Sequence, residues 1–141
     1  MMNIIVTGGF GFVGSHVTEV LQRAGHAVIP CSRRNGVDLR DPQAAEPFWQ
    51  ECLDIRRQVF PPEDTEIDDT AMMLGQCRGA LGRWDEAESL MIESAEHVAA
   101  VRGENAEQTR RAREKVVAFY EGWGMTEQAE TWRMRLAVRQ P

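Results

Sequence analysis

The stretch Val6-Thr-Gly-Gly-Phe-Gly-Phe-Val-Gly-Ser-His16 sets the reading of the chain. It is entered from Asn3-Ile-Ile-Val-Thr7, a short apolar run of β-branched residues. Such a run, ending at glycine, predicts a buried parallel strand. Four glycines follow, Gly8, Gly9, Gly11 and Gly14. The apolar period then becomes helical, with Val13, Val17, Val20, Leu21 and Ala24 along one side. Gly25 supplies a stop, and Ala27-Val-Ile29 reads as a second strand. The order is strand, glycine turn, helix, strand.

The turn chemistry is specific. A strand that reverses into a helix within a few residues needs positive φ, which glycine reaches without a steric penalty. A side chain at Gly11 would block the approach of a pyrophosphate, and one at Gly14 would push the helix off the strand. The helix N-terminus offers unpaired N–H groups and the positive end of its dipole to phosphates. The same glycines also suit a purely structural turn. The position directly after a strand and at the start of a helix favours the phosphate reading.

Thr7-Gly8-x-x-Gly11-x-x-Gly14 resembles the opening of the extended short-chain dehydrogenase/reductase family, the nucleotide-sugar epimerases and dehydratases. The resemblance implies that the backbone of Phe12 and Val13 lies on a pyrophosphate. NAD binders of this kind usually carry an acid at the end of the second strand. Here that position holds Cys31-Ser32-Arg33-Arg34. Two guanidiniums suit a 2′-phosphate, so NADP is favoured over NAD, with a solvated basic pair as the alternative. Val37-Asp38-Leu39-Arg40-Asp41 is similar to the family's third-strand end, where Asp38 and Leu39 would meet the adenine. Asp41-Pro42 reads as the N-cap and first residue of a helix.

This resemblance covers about residues 2–43. The family completes a sheet of roughly seven strands and adds a substrate domain, which needs more than twice this length. Its catalysis implies Tyr followed four residues later by Lys, the cation lowering the phenol pKa. The chain has one Tyr, Tyr120, and one Lys, Lys115; the Lys comes first, and position 124 is Gly. The dyad is therefore absent in the family's form. Ser15 lies in the phosphate turn, and there is no G-x-S-x-G.

From Ala44 onward the pattern is helical. Phe48, Cys52, Ile55 and Val59 recur at helical spacing before Pro61-Pro62 ends the run. Ile67, Ala71, Leu74, Cys77 and Leu81 mark a second helix, broken at Gly82-Arg83. Ala87, Leu90, Met91, Ala95, Val98 and Val101 mark a third, stopped by Gly103. Ala112, Val116, Phe119, Tyr120 and Trp123 mark a fourth, stopped by Gly124. Thr126 reads as the N-cap of a fifth, with Ala129, Trp132 and Leu136.

Two windows repeat. GRWDEAES from Gly82 and GMTEQAET from Gly124 align with an offset of 42, pairing Ala87 with Ala129, Glu88 with Glu130 and Leu90 with Trp132. Gly permits the tight turn between antiparallel helices, and the small Ala permits their close approach. A period of this size signals stacked helical hairpins. Residues 44–138 resemble tetratricopeptide repeats of the kinesin-light-chain type, with AEPFWQECLDIRRQVFPPEDTEI as the second helix of a preceding repeat and its linker. They are similar to the repeat-rich tails of some bacterial serine/threonine kinases, although no kinase motif is present. The resemblance implies a protein or peptide partner in a concave groove. An unrelated helical bundle is the alternative.

The expected fold is thus α/β followed by all-α: a truncated Rossmann-like βαβ segment over 1–43, then tetratricopeptide-like antiparallel hairpins over 44–141. A sheet this small leaves a face bare, so the helix of residues 44–60 or a second copy of the chain is expected to cover it.

Charge and composition bound the rest. The net charge is −6; residues 1–43 carry four Arg against three acids, and residues 44–141 carry twelve basic against nineteen acidic side chains. That balance offers no basic face for nucleic acid. No apolar run approaches a membrane span or a signal-peptide core, so a cytoplasmic protein is expected. Cys31, Cys52 and Cys77 have no metal-ligand spacing and do not cluster with His16, His26 or His97, so reduced, buried thiols are expected and no metal. Trp49, Trp84, Trp123 and Trp132 read as core fillers. Arg110, Arg111 and Arg113 read as a solvated basic face, with an acidic-peptide site as the alternative. The leading functional expectation is a non-catalytic interaction module with a vestigial cofactor segment. The alternatives are an NADP-dependent epimerase, dehydratase or reductase, and an adaptor that senses NADP.

Overall fold

The structure, a computed structural model, describes residues 1–7, 12–31 and 40–137. The chain divides into two units, Met1–Phe48 and Trp49–Pro141.

In the first unit, β1 (Asn3–Thr7) and β2 (Ala27–Cys31) run parallel, in register from Asn3↔Ala27 to Thr7↔Cys31. Between them α1 (Phe12–Arg23) packs on both strands. Gly25, at φ +82°, ends α1: its N–H reaches the Gln22 carbonyl at 3.0 Å, and the His26 N–H reaches Leu21 at 3.1 Å. Paired strands lie about 5 Å apart, so two of them cover only a narrow stripe of a helix. Thr18 is buried and Leu21 half-buried, whereas Val13, Val17 and Val20 are 70%, 41% and 51% exposed. The apolar side expected through Val13, Val17, Val20, Leu21 and Ala24 is thus largely exposed, with Leu21 its half-buried member.

Helix α2 (Pro42–Val59) begins as expected, with the Asp41 carboxylate accepting the Gln43 N–H at 3.1 Å. Its inward face is rotated from the expected one. Ala45 and Leu53 are buried, while Val59 is 60% exposed. Residues of α2 from Trp49 on belong to the second unit, where Leu53 packs with Ala71 and Leu74. That half of the helix packs on the helical core.

The second unit continues with α3 (Glu66–Ala80), α4 (Trp84–Arg102), α5 (Glu107–Trp123) and α6 (Thr126–Ala137). Each packs on the next, and α3 also touches α5. Helix α6 includes Thr126, so this residue is its first helical position, not its cap. Two turns repeat bond for bond. Arg83 N–H reaches the Arg78 carbonyl at 2.9 Å and Gly82 N–H reaches Gly79 at 2.9 Å; 42 residues on, Met125 reaches Tyr120 at 2.9 Å and Gly124 reaches Glu121 at 3.1 Å. Gly82 and Gly124 have φ +76° and +80°. These are the paired backbone bonds of a glycine-terminated helix. Ala87 and Ala129, the matched small residues, are 0% and 1% exposed.

The core runs through Met91, Ala95, Val98, Ala112, Val116, Phe119, Tyr120 and Trp132. Val101, expected on this face, is exposed instead, in the last turn of α4. Cys52 and Cys77 are free thiols and half-buried, not fully buried. Trp132 is in the core, while Trp49, Trp84 and Trp123 are half-buried. Arg110 and Arg111 pair with Glu107 on their own helix, and buried Arg113 pairs with Glu104 and donates to the Arg135 carbonyl. No helix among the described residues is long and apolar enough to cross a membrane.

Gly103 closes α4 at φ 92°, ψ 154°, a region essentially reserved for glycine, whereas Gly124 sits at φ 80°, ψ 14°. Gly124→Ala is expected to cost about 1 kcal/mol and Gly103→Ala about 1–3 kcal/mol. Urea denaturation of the two variants checks this order; equal costs would contradict it.

Candidate functional site

Three places on the surface carry recognisable chemistry. The first is the start of α1. The parallel register sets the C-terminal ends of β1 and β2 side by side. Helix α1 begins at Phe12, shortly after β1 ends at Thr7. The first N–H groups of a helix have no partner within it. Those of Phe12, Val13 and Gly14 open α1. Gly14 is half-buried, and its carbonyl accepts the Thr18 hydroxyl at 2.8 Å. Gly8, Gly11, Arg33, Arg34, Asp38 and Leu39 lie outside the described residues.

The second place is a depression of about 240 Å³ between α3 and α5. Gly79 and Ala80 form one wall, Ala118 and Gly122 the other, and Trp84 and Phe119 line it between them. Their rings lie 5.7 Å apart, and Trp84 also stacks on Trp123 at 5.9 Å with an 8° interplanar angle. The small walls are required. A methyl group added at Gly79 would come within 3.0 Å of Trp84 Cζ3 and 3.4 Å of Phe119 Cε2. Lys115 lines the same depression and donates to Asp69 Oδ1 at 3.0 Å, tying α5 to α3.

The third place is a cleft, also about 240 Å³, where the end of α2 meets α3 and α4. His97 Nδ1 and Asp68 Oδ2 are 2.7 Å apart, and the buried Ser94 lines the same cleft. Burial raises the Asp68 pKa above the usual carboxylate value, and the bond to His97 opposes that rise. Arg102 donates to the Thr65 hydroxyl at 2.9 Å, again joining α4 to the start of α3. Sequence reasoning missed these pairs, though a signal existed. In a hairpin turning at Gly82, Asp68 and His97 are nearly equidistant from the turn.

Tyr120 and Lys115 are both engaged in the helical core. The Tyr120 hydroxyl donates to Glu88 Oε1 at 2.7 Å. Burial and the Glu88 carboxylate both push its pKa up, away from the phenolate that a general base requires. Among the described residues no cluster of His, Cys, Asp and Glu is placed to hold a metal ion.

With this geometry in place, likeness to known proteins can be stated. A model of the NAD dependent epimerase/dehydratase family matches residues 4–59. The match runs from β1 to the end of α2, beyond residue 43, where the resemblance read from the sequence ends. The chain is similar to the epimerase family protein YfhF of Bacillus subtilis (strain 168), 35% identical over 85 residues. Those residues are 60% of this chain and 26% of that protein, so the chain spans about a quarter of the curated relative it matches.

Proposed function

We propose that this chain is a protein-interaction module, two stacked helical hairpins of tetratricopeptide type carried behind a partial dinucleotide-binding segment. The observation that carries the reading is the recurrence of the same turn bonds and the same buried alanine 42 residues apart. Equivalent hairpins set side by side present their first helices, α3 and α5, to a common surface. On that surface lies the depression walled by glycine and alanine and lined by Trp84 and Phe119. A depression lined by rings between small residues suits an apolar side chain of an extended or helical peptide. With two hairpins the groove is short, so the expected affinity is modest.

The first segment supplies a nucleotide cradle in this reading. The backbone of Gly8, Gly11, Phe12, Val13 and Gly14 would hold the pyrophosphate, Arg33 and Arg34 a 2′-phosphate, and Asp38 and Leu39 the adenine. The family match over residues 4–59 and the start of α1 at Phe12 support it. NADP is the favoured dinucleotide on the strength of the two arginines. A complete NADP-dependent epimerase, dehydratase or reductase is disfavoured, because Tyr120, the one Tyr in the chain, is held protonated against Glu88. An NADP-sensing adaptor is the second reading, favoured by the presence of both segments in one chain.

Peptides selected on the whole chain from a random library test the groove. Selected sequences are expected to bind saturably, and Ala118→Glu, at an exposed position on the wall, is expected to abolish binding without lowering the melting temperature. Binding that survives Ala118→Glu would contradict the groove assignment. Calorimetric titration with NADP and NAD tests the cradle. Binding is expected to be weak, tighter for NADP, and lost in Gly14→Val. A peptide affinity that changes with NADP would favour the sensing adaptor.

A further inference from the structure

The two strands of the first unit differ at their outer edges. The Ala27 N–H donates to the Met2 carbonyl at 2.9 Å, and the parallel register runs on from Asn3↔Ala27 to Thr7↔Cys31. Backbone groups alternate sides along a strand, so Ile4 and Val6 face β2, while Asn3, Ile5 and Thr7 turn their N–H and C=O groups the other way. By the same alternation Ala27, Ile29 and Cys31 face β1, and Val28 and Pro30 form the outer edge of β2. Proline has no N–H, so the outer edge of β2 lacks a donor at residue 30. The outer edge of β1 keeps all its donors and acceptors, and no strand among the described residues pairs with it.

Helix α1 presents an apolar stripe on that same side. Gly14, Thr18 and Leu21 are its inward residues, and the exposed Val13, Val17, Val20 and Ala24 lie about a quarter turn from them. Steps of four, three and four residues are those of a helix–helix seam. The connection from a strand through a helix to a parallel neighbour is right-handed. With that hand, the quarter turn carries the stripe to the β1 side of the helix, beside the open edge.

We propose that the open β1 edge and the valine stripe form one interface, and that a second copy of this chain occupies it. Three outward residues centred on Ile5 are self-complementary about a two-fold axis: Asn3 meets Thr7 of the second copy, and Ile5 meets its own equivalent. The product is a four-stranded sheet with an antiparallel junction at its centre and β2 at both ends. The axis sets both α1 helices on one face, antiparallel to each other. Strands spaced about 4.8 Å apart put the two helix axes about 10 Å apart, the separation at which packed helices touch. Valine and alanine are short enough for that approach. Charge does not oppose it, because the seam is uncharged and Glu19 pairs with Arg23 on its own helix. Such an interface buries on the order of 1,000 Å² in total, the size of a weak and reversible pair. The proposal depends on neither the peptide groove nor the nucleotide cradle.

Sedimentation velocity of the whole chain tests it. A reversible monomer–dimer equilibrium is expected, with a Kd between about 10 μM and about 1 mM. Val20→Glu, at an exposed position, is expected to weaken the dimer at least about 10-fold, because a carboxylate is then buried without a partner. The melting temperature of the dilute variant is expected to be unchanged. Hydrogen exchange supplies a second readout. The Ile5 amide is expected to be protected at high concentration and to exchange freely at low, while the exchange of Val28 does not change with concentration. A monomer throughout, which would leave the edge to a strand of another protein, overturns the proposal. A dimer that survives Val20→Glu, or one in which the Ile5 amide still exchanges freely, overturns it as well.

Discussion

At position 75 of α3 there is no side chain, and Met91 of α4 fills the space. A methyl group there would sit 2.9 Å from the Met91 sulfur and 3.4 Å from the Ala87 carbonyl oxygen. Glycine inside a helix costs about 1 kcal/mol relative to alanine. Here it lets α3 and α4 approach closely enough to bury Ala87 and Met91 completely. The same stripe of α4 continues through Ala95 and Val98, which join the cluster of Ala112, Val116 and Tyr120 on α5. The position of α5 beside α3 then creates the depression lined by Trp84 and Phe119. Close backbone approach at one crossing thus leads to the surface on which the functional reading rests.

The ends of the α3–α4 hairpin show how the helical unit sorts its polar groups. At one end the turn closes on its own backbone through Gly82. At the other, Asp68 meets His97 and Thr65 meets Arg102. Most remaining charged pairs lie on exposed faces, where each contributes little. Arg113 is the exception: buried, it satisfies its guanidinium with Glu104 and the Arg135 carbonyl, so it fixes α6 against α5. Stability resides in the small-residue crossings and aromatic packing.

Much of this was legible in the sequence, for identifiable reasons. Glycine stops and the 42-residue offset predicted the hairpins because a left-handed cap is a local property of the chain. The parallel pair β1 and β2 followed from two short apolar runs flanking a helix. The inward face of α2 was not legible. Apolar residues surround this helix, and Pro47 lies inside it, so period alone selected Phe48, Cys52, Ile55 and Val59 in place of Ala45 and Leu53. The exposure of Val13, Val17 and Val20 was missed because a helical stripe was assumed to be wholly covered, which a two-stranded sheet cannot do. The Asp68–His97 pair joins residues 29 apart, visible only once the hairpin register is known.

The central claim is that α3–α6 form one cooperative body organised around the α4–α5 interface. Native-state hydrogen exchange on the whole chain measures this most directly. The slowest amides are expected near Met91, Ala95, Val116 and Tyr120, and all four helices are expected to open in a single cooperative step. Independent opening of the α3–α4 and α5–α6 hairpins, each with its own free energy, would contradict the account.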